Sequence, residues 1–218
     1  IDGGSSPNRL AQQLGARIPF GNRRIEYLIA TAADSDVLTG LAGVLKRYQP
    51  QQAYYLFDPS TLTFPNNRTY SDWLEQLNAE NIPAEWVQAS TVLETSDGVR
   101  LRLLPLANGG GAVRVEYGQS QMLLAHSVRA ADAETLVDQS AHVLLVPQAA
   151  APDSFSAEFW AATQPEIAVV SVAAGNLQNA PAPAQLRLLN QTHWFRTDRS
   201  GWVDIATNGQ QLWSATER

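Results

Sequence analysis

Residues Ile25–Leu41 read IEYLIATAADSDVLTGL, and this stretch decides how the rest of the chain is read. Ile25–Ala30 is a short apolar run of strand type. From Ser35 to Tyr48, Val37, Leu38, Leu41, Val44, Leu45 and Tyr48 recur with helical spacing. A strand that empties into a helix N-terminus is where α/β proteins usually keep their chemistry. The connecting loop, Thr31-Ala32-Ala33-Asp34-Ser35-Asp36-Val37, offers two carboxylates and no histidine. It cannot by itself supply the converging His and carboxylate side chains that a zinc ion requires.

The same alternation continues on both sides. Ser6-Pro7 opens an amphipathic helix carrying Leu10, Leu14 and Ile18. Ala53–Phe57 is a second apolar run, and a helix with Trp73, Leu74 and Leu77 follows, with Thr69 and Asp72 spaced as in a capping box. From Ala84 the period changes to two. Trp86–Ala89, Thr91–Thr95, Val99–Pro105, Ala112–Tyr117 and Gln121–Ala125 read as strands broken at Asp97-Gly98, Gly109–Gly111 and Gly118. Helices are expected at Ala131–Ser140, Ser154–Thr163 and Ala182–Asn190. Strands are expected at His142–Val146 and Ile167–Val172, with three short ones near Thr192–Thr197, Gly201–Thr207 and Gln210–Trp213. This is the pattern of one layered α/β domain spanning residues 1–218.

Composition excludes several function classes. The net charge of −6 and pI near 5.0 disfavour nucleic-acid binding through bulk charge. Without cysteine there is no thiolate ligand, thiol nucleophile or disulfide. No apolar run approaches membrane-spanning length. The start at Ile1-Asp2-Gly3-Gly4 reads as a strand end and turn, as though cut from a longer protein partway through a strand. Gly109–Gly111 lacks the Gly-Lys-Ser/Thr of a phosphate loop, and no Gly-x-Ser-x-Gly elbow is present.

Five segments in order, IDGGSSPNRL, PFGNRRIEYLIATAADSDVLTGLAGVLKRY, SDGVRLRLLPL with its Gly-rich hairpin, EFWAATQPEIAVVSVAAGN and FRTDRSGWVDIATNGQ, resemble the β-lactamase-like domain of the ComEC-type competence proteins, which take up DNA in bacteria. The resemblance implies a metallo-β-lactamase-like αββα sandwich in which the strands that usually precede IDGG are missing. It also implies where metal ligands would stand. In active relatives the first motif runs Thr-His-x-Asp-x-Asp-His; here the histidine positions are Ala32 and Val37, with Asp34 and Asp36 retained. The Gly-Asp after the hairpin falls on His126-Ser127. The His-His-Gly-Ser loop falls on Gln148-Ala149-Ala150-Ala151, and a further histidine falls on Ala180. The resemblance therefore implies a centre whose metal ligands have been exchanged, with no cofactor.

Asp34 stands where a helix N-cap belongs and Asp36 lies in the first turn, where the helix dipole favours an anion. Both are also the residues a hard cation would use. Of the three histidines, His126 lies in the former active-site region, whereas His142 and His193 begin strands. Arg9, Arg17, Arg23 and Arg24, with Phe20 among them, form the most basic segment and the best candidate for contact with a phosphate backbone or an acidic partner. The six tryptophans are spaced singly, and most are expected to be core or half-buried packing rather than a stacking platform. The expectation is a catalytically inactive scaffold or binding module of DNA uptake, at the cell surface or outside the cytoplasm. Its expected partners are single-stranded DNA or a membrane channel domain of the same polypeptide. The alternative is a metal-dependent phosphodiesterase or nuclease using Asp34, Asp36 and His126 in a rearranged site.

Overall fold

The structure, a computed structural model, describes residues 1–173, 181–190 and 192–218. They form two compact units, Ile1–Ser90 with Gly109–Gly111, and Thr91–Asn108 with Ala112–Arg218.

In the first unit, α1 (Pro7–Arg17) starts where Ser6-Pro7 predicts. The Ser6 hydroxyl accepts the Arg9 N–H at 3.4 Å, and proline at the first helical position lacks a donor that would have had no partner. Strand β1 (Arg24–Ala30) leads through the motif loop into α2 (Ser35–Val44), then β2 (Gln49–Tyr55), α3 (Asn66–Ala79) and β3 (Ala84–Trp86). The three strands pair in parallel in the order β1-β2-β3. Their connections are helical, as parallel pairing demands. The periodic residues of α2 lie in a core with Leu28, Ala53, Trp73 and Leu77. Tyr55, Phe57, Tyr70 and Trp73 add edge-to-face and tilted ring contacts. Burial beside Tyr55 pushes the Tyr70 phenol well above its ordinary pKa.

Two glycines fix how α2 meets the N-terminal turn. A Cβ on Gly40 would stand 1.8 Å from the Gly3 carbonyl oxygen, and one on Gly3 would stand 2.1 Å from the Leu41 nitrogen. That approach lets Gly3 N–H donate to Val37 O at 2.9 Å and Gly40 N–H donate to Gly4 O at 2.8 Å.

The capping-box reading of Thr69 and Asp72 is corrected: α3 already begins at Asn66, without a side-chain cap. Thr69 lies inside the helix, where its N–H and hydroxyl both donate to Pro65 O.

The second unit holds β4 (Thr91–Glu94), β5 (Arg100–Pro105), β6 (Gly111–Tyr117) and β7 (Ser120–Leu124), followed by α4 (Ala130–Ala133) and β8 (Val143–Leu145). Next come α5 (Ala157–Thr163), β9 (Ile167–Val170), α6 (Pro183–Leu189), β10 (His193–Arg196), α7 (Thr197–Ser200), β11 (Val203–Thr207) and β12 (Leu212–Thr216). Seven strands form one sheet in the order β10-β9-β8-β7-β6-β5-β4. From β7 to β10 the pairing is parallel; β6 runs antiparallel to β7, and β4 to β5. Strands β11 and β12 form a separate antiparallel hairpin. The core gathers Leu123, Leu144, Val146, Phe155, Phe159, Ala168, Val170 and Leu189.

The helix expected over Ala131–Ser140 is shorter: α4 gives way to a single tighter turn at Glu134–Leu136. The Thr135 hydroxyl competes there for the Asp132 carbonyl at 2.6 Å. The Asp132 carboxylate, almost fully buried, accepts from the Asn108 side-chain amide at 2.9 Å and backbone N–H at 3.3 Å.

Candidate functional site

The motif loop of the first unit is held by hydrogen bonds. Thr31 is buried at the end of β1; its N–H and hydroxyl donate to the two carboxylate oxygens of Asp2 at 2.8 and 2.7 Å. The Asp of the opening Asp-Gly-Gly turn thus anchors the start of the motif. Asp34 takes the N-cap role anticipated for it, its Oδ1 accepting the Val37 N–H at 3.1 Å. Asp36 is exposed in the first turn of α2. Ala32 is half-buried and presents only a methyl group. Val37 is 1% exposed and belongs to the apolar core of the unit.

In the second unit the loops that follow the parallel strands come together. Gln148 N–H donates to His126 O at 2.9 Å, joining the turn after β7 to the loop after β8. Ala182 N–H donates to Ala150 O at 2.9 Å, tying that loop to the approach to α6. Ser127 and His126 are half-buried, and His126 Nδ1 is buried with no hydrogen-bond partner among the described residues. Gln148 is exposed and Ala149 half-buried. Ala180 lies outside the described residues.

Sequence reasoning did not anticipate the backbone of this loop. Gln148, Ala149 and Ala150 have φ of 44°, 55° and 57°, all left-handed. Each such residue with a Cβ costs on the order of 1 kcal/mol or more. Ala150 occupies the glycine position of the resembled His-His-Gly-Ser loop and keeps the conformation that glycine adopts freely. Replacing Ala150 with glycine is therefore expected to raise stability by about 0.5 kcal/mol, after the loss of one buried methyl group is subtracted. Denaturant titration of the variant checks this.

Zinc does not fit the side chains that stand at these positions. Alanine and valine carry no donor atom, and a serine hydroxyl or glutamine amide is a poor zinc ligand. Asp34 uses Oδ1 as the helix cap. Among the described residues, no group of three or more His, Cys, Asp or Glu side chains is placed to hold a metal ion.

The basic residues Arg9, Arg17, Arg23 and Arg24 are all exposed, as is Phe20. Arg17 donates to the Gln13 side chain at 2.6 Å, and Arg24 N–H to Asn22 Oδ1 at 3.0 Å. No helix among the described residues is long and apolar enough to cross a membrane.

No family model matches the chain, and no curated protein matches it. Solved structures do. The chain is similar to a CmlA β-hydroxylase E377D mutant at 13% identity and a TM-score of 0.50, over 83% of this chain and 44% of that one. The metallo-β-lactamase fold protein YhfI from Bacillus subtilis matches at 10% identity and a TM-score of 0.49, over 77% and 71%. Zn(2+)-bound PqqB from Methylobacterium extorquens matches at 18% identity and a TM-score of 0.42, over 66% and 50%. The chain shares the α/β fold of the CmlA structure. Identities this low carry the fold and nothing further, and the chain spans about half the length of the CmlA and PqqB structures.

Proposed function

We propose that this chain is a metallo-β-lactamase-fold domain of the ComEC type that has lost its metals and serves as a scaffold or binding module of bacterial DNA uptake. It would stand at the cell surface or outside the cytoplasm, joined to a membrane channel domain of the same polypeptide or engaging single-stranded DNA. The observation that carries this reading is the set of side chains at the motif positions: Ala32, Val37, Ser127, Gln148 and Ala149, with Asp34 committed to a helix cap. Metal-activated hydrolysis depends on an ion that lowers the pKa of bound water from 15.7 to about 7, and these side chains offer no grip for one. The exposed Arg9, Arg17, Arg23 and Arg24 give the module its most basic segment, through which a phosphate backbone would be met.

The unpartnered Nδ1 of His126 favours a second reading, a phosphodiesterase or nuclease with a rearranged site that also uses Asp34 and Asp36. One experiment separates the two. The purified protein is expected to carry no stoichiometric metal after exposure to Zn²⁺ or Mn²⁺, and to melt at the same temperature with and without chelator, since a bound ion would raise stability by linkage. Asp34→Ala is expected to cost about 1 kcal/mol through loss of the cap, equally in both conditions. Metal at one or two equivalents, with hydrolysis of single-stranded DNA that Asp34→Ala abolishes, would establish the enzyme instead.

A further inference from the structure

A cavity of about 460 Å³ opens in the second unit at the end of the sheet remote from the former motif loops. It gathers the starts of the parallel strands, with Ser120 opening β7, His142 preceding β8, and Glu166 and Ile167 at β9. The motif loops follow the other ends of β7 and β8, roughly 15 Å away along strands of this length. The size falls within the ~300–1,000 Å³ of small-molecule sites.

The other wall is the tip of the β11–β12 hairpin, contributing Gln210, Gln211, Leu212 and Trp213, with Gln119 beside it. This wall is built rigidly. Asn208 Oδ1 accepts the N–H groups of Gln210 and Gln211 at 3.0 and 2.9 Å, and Thr207 Oγ1 donates to Gln211 O at 2.8 Å. Gln119 N–H donates to Gly209 O at 2.6 Å, and a Cβ on Gly118 would come within 2.5 Å of that same oxygen. The hairpin tip is thereby held against the β6–β7 turn, and a rim fixed in advance lowers the ordering cost of binding.

The lining specifies a ligand class. Among the described residues that line the cavity there is no lysine or arginine and one carboxylate, Glu166, which opposes phosphates and carboxylates. Three primary amides, Gln119, Gln210 and Gln211, each offer a donor and an acceptor, and their side chains make no hydrogen bond to the described residues. His142 Nδ1 accepts the Gln121 N–H at 3.1 Å, which assigns the proton of the neutral ring to Nε2 and makes that nitrogen a donor. Trp213, 49% exposed, supplies a flat apolar face next to these polar groups. Neutral rings with alternating hydroxyl donors and acceptors on their edge and C–H groups on their faces match this set. We propose that the cavity is a saccharide-binding site, with Trp213 stacking on the sugar face and Gln119, Gln210, Gln211 and Glu166 bonding its hydroxyls.

The test is nitrogen–proton correlation NMR of the whole chain, titrated with mono- and trisaccharides of glucose, galactose and N-acetylglucosamine. Choline chloride and inorganic phosphate form separate arms. At about 10 mM, ten times a dissociation constant of roughly 1 mM, at least one saccharide is expected to shift the Trp213 indole and the Gln210 and Gln211 amide signals. Trp213→Ala and Gln211→Ala, both at exposed positions, are each expected to weaken binding at least tenfold while the spectrum stays folded; Trp202→Ala is expected to leave it unchanged. Silence of these signals toward every saccharide overturns the proposal. So do a stronger response to choline or to phosphate, and saccharide shifts that survive both cavity variants.

Discussion

Gly40→Ala is expected to destabilise the protein by about 3 kcal/mol, at the upper end of overpacking effects. The added methyl group would lie 1.8 Å from the Gly3 carbonyl oxygen, and its neighbours are backbone atoms rather than the ends of flexible side chains. Relief requires α2 to back away from the Asp-Gly-Gly turn, and that movement breaks the Gly3 N–H to Val37 O and Gly40 N–H to Gly4 O bonds together. Gly15→Ala is the matched control. Gly15 lies within α1, a Cβ there meets nothing within 4 Å, and alanine is the better helix former, so a gain of about 0.5–1 kcal/mol is expected. Urea midpoints of the two variants report both effects. A Gly40→Ala protein as stable as the parent would show that the turn and the helix are not in contact as described.

The sequence made the strand–loop–helix from Ile25 legible, although the helix ends at Val44 rather than at Tyr48, because both of its signals are local. The apolar spacing of α2 follows the 3.6-residue period, and Asp34 sits one position before the first helical residue, where a cap must be. The Gly3–Gly40 contact left no such trace, since nothing in either segment marks which glycine a distant turn will approach. Local signals also misled. Thr69 and Asp72 have capping-box spacing, yet the apolar residues Tyr70, Trp73 and Leu77 bury one face of a helix that had already begun. Packing outweighed the cap.

The loop after β8 was illegible for a different reason. Glutamine and two alanines disfavour left-handed backbone, so their run of positive φ cannot be read from their propensities. Only the resemblance, with glycine at the Ala150 position, hinted at the turn. The cavity walled by Trp213 was equally hidden. Its residues come from the β6–β7 turn, two strand starts and a hairpin tip, so no spacing in the chain joins them. The expectation that most tryptophans are core or half-buried packing fits Trp73, which is buried, and Trp86, Trp160 and Trp194, which are half-buried; Trp202 and Trp213 are the exposed ones.

Placing histidine at Val37, the second histidine position of the resembled motif, is expected to cost about 3 kcal/mol whether or not zinc is present. Val37 is 1% exposed and packed in the core with Leu38 and Leu41, so an imidazole there must bury two ring nitrogens without partners or push α2 outward. Ala32→His is expected to cost less than about 1 kcal/mol, because that position is half-buried and a side chain has room to reach water. The asymmetry tests the proposed loss of metal ligands. Had the ligands merely been trimmed from an intact cavity, the double variant Ala32→His with Val37→His would regain stability on adding zinc, through preferential binding to the folded state. With Val37 absorbed into the core, zinc is expected to leave the melting temperature of the double variant unchanged. A rise of several degrees would show that the loop still presents both positions to one ion, and that the site remains a metal centre short of its ligands.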